Sequence, residues 1–225
     1  MKSFAAILAR AETRCGGPQS LEALMIPPAG DDELRAVSDD RYLSLMSLRI
    51  FRAGLRHAMV DARWPAFEEV FHGFEPRRVW SMNDEELEAL MGEKRIIRHW
   101  GKIKATRENA AAMVKVIDEF GGFGAYLAAW PGDDIMGLWA ELAKRFRQMG
   151  GNSGPYFLRM AGKDSFLLTG DVVRALVEAG VIAKKPTTRE ARAATGDAFN
   201  GWAAESGRPL CHISRLLALH RKRSL

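Results

Sequence analysis

Apolar residues recur along this chain at intervals of three and four, and no stretch sustains the strict alternation of a half-buried strand. The pattern predicts helices throughout. In SDDRYLSLMSLRIFRAGLRHAMVDARW, Tyr42, Leu45, Met46, Leu48 and Leu55 share helical spacing, and the Ser38 hydroxyl is placed to cap the first turn. One or two long buried helices are expected there. WPAFEEVFHGF, with Pro65 in its first turn and Gly73 near its end, and EPRRVWSM predict two short elements. Asn83, with Glu86 three residues on, forms a capping pair for DEELEALM, which Gly92 ends. Helical patterns continue to PLCHISRLLALH with short breaks and no fixed repeat, giving roughly ten helices and an all-α class. The breakers GGPQS and PPAGDD interrupt residues 1–37, which are expected to form an arm packed over a body of residues 38–225.

Composition narrows this picture. With 225 residues, 47% of them hydrophobic, the chain can bury an ordinary core. Its apolar runs fall short of the roughly 20 residues that cross a bilayer, and MKSFAAILARAETR meets charge too early for a signal peptide, so a cytoplasmic protein without a membrane partner is expected. Cys15 and Cys211 give no disulfide framework. The net charge of +5 suits a polyanionic partner without requiring one. Bases crowd KRIIRHWGKIKATR, AKRFRQ and HRKR, which reads either as a basic face or as solvated helix surface.

Two segments suggest chemistry. MGGNSGPYFLRMAG (149–162) puts three glycines and a proline within six residues between two basic helical runs. Such a corner either turns a tight hairpin or lets backbone N–H groups approach a phosphate. In RIIRHWGKI (95–103), a helix would turn Ile96, Ile97, Trp100 and Ile103 inward and leave Arg95, Arg98, His99 and Lys102 outward.

Residues 51–113 closely resemble the 3-methyladenine DNA glycosylase type I family. The resemblance is carried by Ala53-Gly54-Leu55, the Phe71 to Pro76 element, the acidic helix from Asn83 to Met91, and the string Ile96-Ile97-Arg98-His99-Trp100-Gly101-Lys102-Ile103. It implies a helix-hairpin-helix DNA glycosylase-like fold with two helical lobes and a cleft between them. It also implies a monomer acting on double-stranded DNA without a cofactor, flipping out a damaged base, an alkylated purine in this family, and hydrolysing its glycosidic bond. Gly151, Asn152, Ser153 and Gly154 would then form the DNA-gripping turn, with Arg98 and Lys102 as further DNA contacts.

Bond cleavage builds positive charge on the sugar, and a carboxylate nearby would stabilise it. In most helix-hairpin-helix DNA glycosylases an Asp after the hairpin fills that role; its position falls here on Asp171 or Thr169 depending on how the loop aligns, and Asp171 also reads as a helix cap. The type I family recognises its cationic base with a Glu before the Ala-Gly-Leu and a Trp after it; those positions are Arg49 and His57 here. Arg49 is open to pairing with Asp171, touching a phosphate, donating to a neutral base, or facing outward. Tyr156 either lines the cleft or braces the hairpin, and His57 is either a pocket or a core residue. The six tryptophans read as packing. The family's zinc site has only Cys15 and the Cys211, His212, His220 group to draw on, without a His before His57, so no metal is expected. The usual hairpin lysine is missing, so strand cleavage is not expected. The alternative is an inert protein of the same fold that binds bent or damaged DNA.

Overall fold

The computed structural model describes residues 3–219, so the HRKR run, His220 included, lies outside the described residues. Fifteen α-helices and one short 3-10 turn, with no strand, make up the elements among them. In chain order these are α1 (Phe4–Cys15), α2 (Pro18–Glu22), α3 (Asp31–Ala36), α4 (Asp39–Arg52), α5 (His57–Asp61), α6 (Trp64–Val70), α7 (Pro76–Ser81) and α8 (Asp84–Ala89). They continue with α9 (Trp100–Phe120), α10 (Phe123–Ala129), α11 (Ile135–Arg145), α12 (Ser153–Met160), α13 (Gly170–Glu178), α14 (Arg189–Ser206) and α15 (Leu210–Leu219). The helices outnumber the sequence expectation because breakers divide runs as well as ending them. Gly54, at φ 78°, separates α4 from α5 within what reads as one amphipathic stretch.

The chain divides into two compact units. One comprises Gly30–Trp130 and Leu138–Lys163. Its longest helix is α9, whose apolar stripe buries Ile103, Ala110, Met113 and Val116 and packs against α4, α7 and α10. From α4, Tyr42, Met46, Ile50 and Phe51 turn inward. Phe51, Trp64, Phe67, Phe71 and Phe74 form an aromatic layer, with the Trp64 and Phe74 rings 5.3 Å apart and nearly parallel. Trp64 Nε1 donates to Ser44 Oγ at 3.0 Å, that hydroxyl donates to Glu68, and Arg41 grips Glu68 through both carboxylate oxygens. Gly124 lets α3 lie against α10, since a Cβ there would fall 2.1 Å from the Leu34 carbonyl oxygen.

The other unit comprises Met1–Ala29, Pro131–Gly137 and Asp164–Leu225. Phe4, Ile7 and Ala11 of α1 are buried, and α1 packs on α15. Phe166 stacks on Phe199 at 3.8 Å, with Trp202 edge-on to Phe199. The Asp164 carboxylate accepts from the first two amides of α15, Leu210 N–H at 2.9 Å and Cys211 N–H at 2.8 Å, which suits the positive end of a helix.

Three local expectations change. Residues 1–37 do not form one arm: the first 29 belong to one unit and α3 to the other, because Phe4, Ile7 and Ala11 give α1 an apolar stripe of its own. Ser38 takes the N-cap position of α4, but its hydroxyl makes no capping bond and serves the Asp40 carboxylate instead. Residues 95–99 are not helical: His99 is extended and its ring Nδ1 accepts from Lys102 N–H, so α9 starts at Trp100. The capping pair Asn83 and Glu86 forms in both directions, at 2.8 and 2.7 Å. Trp202 is buried, whereas Trp80 and Trp100 are exposed.

Candidate functional site

The carboxyl end of α4 carries the resemblance motif, and its backbone explains the lysine of that motif. Helix ends leave carbonyls without intrahelical donors. Lys102, reaching from the first turn of α9, donates through Nζ to the Phe51 carbonyl at 3.1 Å and the Ala53 carbonyl at 2.8 Å. A cation at a helix carboxyl terminus also complements its dipole. Lys102 is therefore buried and committed to the fold, which corrects its expected place on the DNA face.

Arg49 lies one turn back on α4. Its guanidinium sits over the Tyr156 ring of α12, Cζ 4.7 Å from the ring centroid. The residue is half-buried, and its Nε is shut away from solvent without a hydrogen-bond partner among the described residues. Burial holds its pKa below the ordinary arginine value; Tyr156 opposes that effect and Arg52 adds to it. Burial, and after it the Arg49 charge, likewise pushes the Lys102 ammonium down. Two cations thus sit close together at this helix end. Lys102 has acceptors; the Arg49 Nε has none.

The glycine-rich corner turns α11 into α12. Ser153 N–H donates to the Gly150 carbonyl at 3.1 Å and Gly154 N–H to the Met149 carbonyl at 3.0 Å, so these two amides close the turn itself. Gly154 is buried, and a Cβ there would meet the Met149 oxygen at 3.0 Å. Gly150 and Gly151 are exposed, with open space where a Cβ would stand; Asn152 and Ser153 are half-buried. The exposed face of the corner is therefore centred on Gly151, and Gly154 serves the turn. Arg147 and Arg145, flanking bases in the sequence, pair with Glu108 and with Glu119 and Glu141.

Two residues that sequence reasoning missed hold this corner. Asn109, buried in the middle of α9, accepts from Arg147 N–H at 2.6 Å and donates to its carbonyl at 3.1 Å. Gln148, at φ 61°, donates to the Gly101 carbonyl at 2.9 Å. An Asn between Thr106, Ala110 and Met113 on an apolar stripe was the available signal, because a buried amide needs partners.

Asp171 occupies the first turn of α13, two residues after Thr169, whose hydroxyl caps the helix through Val172 N–H at 3.3 Å. Thr169, not Asp171, is the cap. The Asp171 carboxylate is partly exposed and pairs with Arg174 one turn along. His57 opens α5 as an exposed side chain, which excludes the core alternative. Arg98 is exposed in the extended segment before α9. Cys15 and Cys211 form no disulfide, and no group of three or more His, Cys, Asp or Glu residues able to hold a metal occurs among the described residues. No described helix is long and apolar enough to cross a membrane.

The sequence profile of the methyladenine glycosylase family matches residues 34–148, just over half of the chain. The chain belongs to this family. Most of the matched stretch falls in the unit that carries Arg49, Tyr156 and Lys102. DNA-3-methyladenine glycosylase 1 of Escherichia coli (strain K12) is 37% identical over 65 residues, 29% of this chain. The chain spans about a third, 35%, of that relative's length. Among solved structures, a variant 3-methyladenine DNA glycosylase I in complex with 3-methyladenine superposes with a TM-score of 0.51 at 23% identity, over 56% of this chain and 77% of that one. The Methanocaldococcus jannaschii 8-oxoguanine glycosylase/lyase, in complex with a 15mer DNA containing 8-oxoguanine, gives 0.53 at 13% identity over 96% and 97%. These likenesses establish the all-helical DNA glycosylase fold expected from the sequence.

Proposed function

We propose that this protein is a monofunctional DNA-repair glycosylase that takes a damaged purine, of the alkylated class the family points to, out of the duplex and hydrolyses its N-glycosidic bond. Membership of the methyladenine glycosylase family across residues 34–148 carries the reading. In it, the exposed backbone around Gly151, with Asn152 and Ser153 beside it, grips one DNA strand, and Arg98 adds a phosphate contact. Arg49, Tyr156 and His57 line the base pocket, Tyr156 offering a ring face and Arg49 its donors. Asp171 stabilises the positive charge that develops on the sugar as the bond breaks.

One observation favours a second reading, a DNA-binding protein of this fold without the reaction: the Asp171 carboxylate is already engaged by Arg174. Release of free base from methylated and deaminated duplex DNA, by the wild type and by Asp171→Asn, separates the two. Hydrolysis predicts release that the variant loses. DNA binding without release from any damaged duplex leaves only the binder.

A further inference from the structure

A base pocket built to hold a cationic purine needs negative charge. Here the position that resembles the family's Glu holds Arg49, which faces Tyr156 and a second arginine, Arg52, itself paired with Asp61 at 2.7 Å. Lys102 adds another cation close by. Like charges repel most strongly where water is scarce, so this corner of the molecule disfavours a methylated, positively charged base.

The arginine is also poised to donate. Every charged donor taken out of water needs an acceptor. Lys102 has two carbonyls, whereas the Arg49 Nε is buried with no partner among the described residues, and the guanidinium lies against the face of Tyr156. Stacking fixes the plane of the fork without using its N–H groups. A planar fork with spare donors matches two adjacent acceptors, and on a purine that pair is the 6-carbonyl oxygen with N7.

We infer that Arg49 makes this site selective for a neutral purine bearing a 6-carbonyl and a free N7, of which hypoxanthine is the simplest damaged example. The inference rests on the glycosylase reading above but replaces its substrate class, a neutral deaminated purine taking the place of the cationic alkylated bases. Hypoxanthine opposite thymine is a mismatch, so its extrusion costs less than that of guanine held in a full pair; the same donors therefore need not act on undamaged DNA.

The test uses the full chain and two duplexes, one holding hypoxanthine opposite thymine and one holding 7-methylguanine, which keeps the 6-carbonyl but is cationic and methylated at N7. Base release and duplex affinity, by fluorescence anisotropy, are measured for the wild type, Arg49→Gln and Arg49→Glu. The expected result is a preference for hypoxanthine of about tenfold or more in either readout, the range of a bidentate arginine contact. Arg49→Gln should bring that ratio near one and Arg49→Glu should reverse it. Should the glutamate variant fail to fold, Arg49→Gln alone decides. Release of 7-methylguanine ahead of hypoxanthine by the wild type overturns the inference and leaves the glycosylase reading standing. Arg49-dependent preference in binding, with no release from either duplex, supports the inference and removes hydrolysis. No preference in either readout, or one that Arg49→Gln leaves unchanged, overturns it.

Discussion

Two charged residues resemble functional positions in this chain, and the two units treat them differently. On α13, Asp171 is partly exposed and has a counter-ion one turn away in Arg174. On α4, Arg49 is half-buried, stacked on Tyr156, and its Nε meets no acceptor among the described residues. An exposed pair within one helix is worth little to stability, so Asp171 and Arg174 can be separated at small cost when another charge appears nearby. An unanswered buried donor costs free energy in the folded protein, and such a cost persists at sites kept for a ligand. Arg49, the larger departure from the family pattern, is therefore also the more informative residue.

The largest effect expected from breaking this contrast is on rate. Asp171→Asn should lower base release by about a hundredfold to a thousandfold, as losing one charge-stabilising group does elsewhere, while stability moves by less than about 0.5 kcal/mol. Single-turnover release and urea denaturation of the same preparation check both halves. A large stability loss would make Asp171 structural.

Next is the neighbour of Arg49 whose charge is satisfied. Lys102→Met should cost about 2–3 kcal/mol, because the Phe51 and Ala53 carbonyls lose a charged donor at the end of α4. Denaturant midpoints measure it. A loss of DNA affinity with unchanged stability would return Lys102 to the DNA face.

The tyrosines sharpen the comparison at a smaller scale. Tyr42 donates to the Leu34 carbonyl at 2.7 Å, whereas the Tyr126 hydroxyl is buried without a partner among the described residues. Tyr42→Phe should cost about 1 kcal/mol, and Tyr126→Phe should be neutral or stabilising by up to about 1 kcal/mol. Burial pushes both hydroxyls up to about 12, with a smaller contribution from Asp39 at Tyr42 and from Glu141 at Tyr126. A folded-state pKa above the unfolded value means that the folded protein holds its proton longer. Stability present below about pH 10 is thus lost as the pH rises toward 12. Tyr126→Phe should flatten part of that alkaline loss, as denaturation at stepped pH would show.

Some of this was legible before the structure. The capping pair at Asn83 needed only residue types at fixed spacing, and the corner at 149–154 announced itself through its glycines, because both signals are local. The roles of Lys102 and Asn109 were hidden for the opposite reason. Each acts across tens of residues, on carbonyls and amides that carry no side-chain signature. Periodicity placed Lys102 outward with the other bases of its run, but the open end of α4 drew its ammonium inward. The division of the first 37 residues was equally invisible, since α1 and α3 find their partners on α15 and α10, far along the chain.

If Arg49 is kept for a ligand and not for the fold, Arg49→Met should gain stability and lose selectivity together. The variant should be about 1 kcal/mol more stable in urea, since an unanswered donor and a repelled charge are gone, with its preference for a hypoxanthine-containing duplex lost. A variant that is less stable yet binds that duplex with the wild-type preference would show that the guanidinium serves only to brace Tyr156.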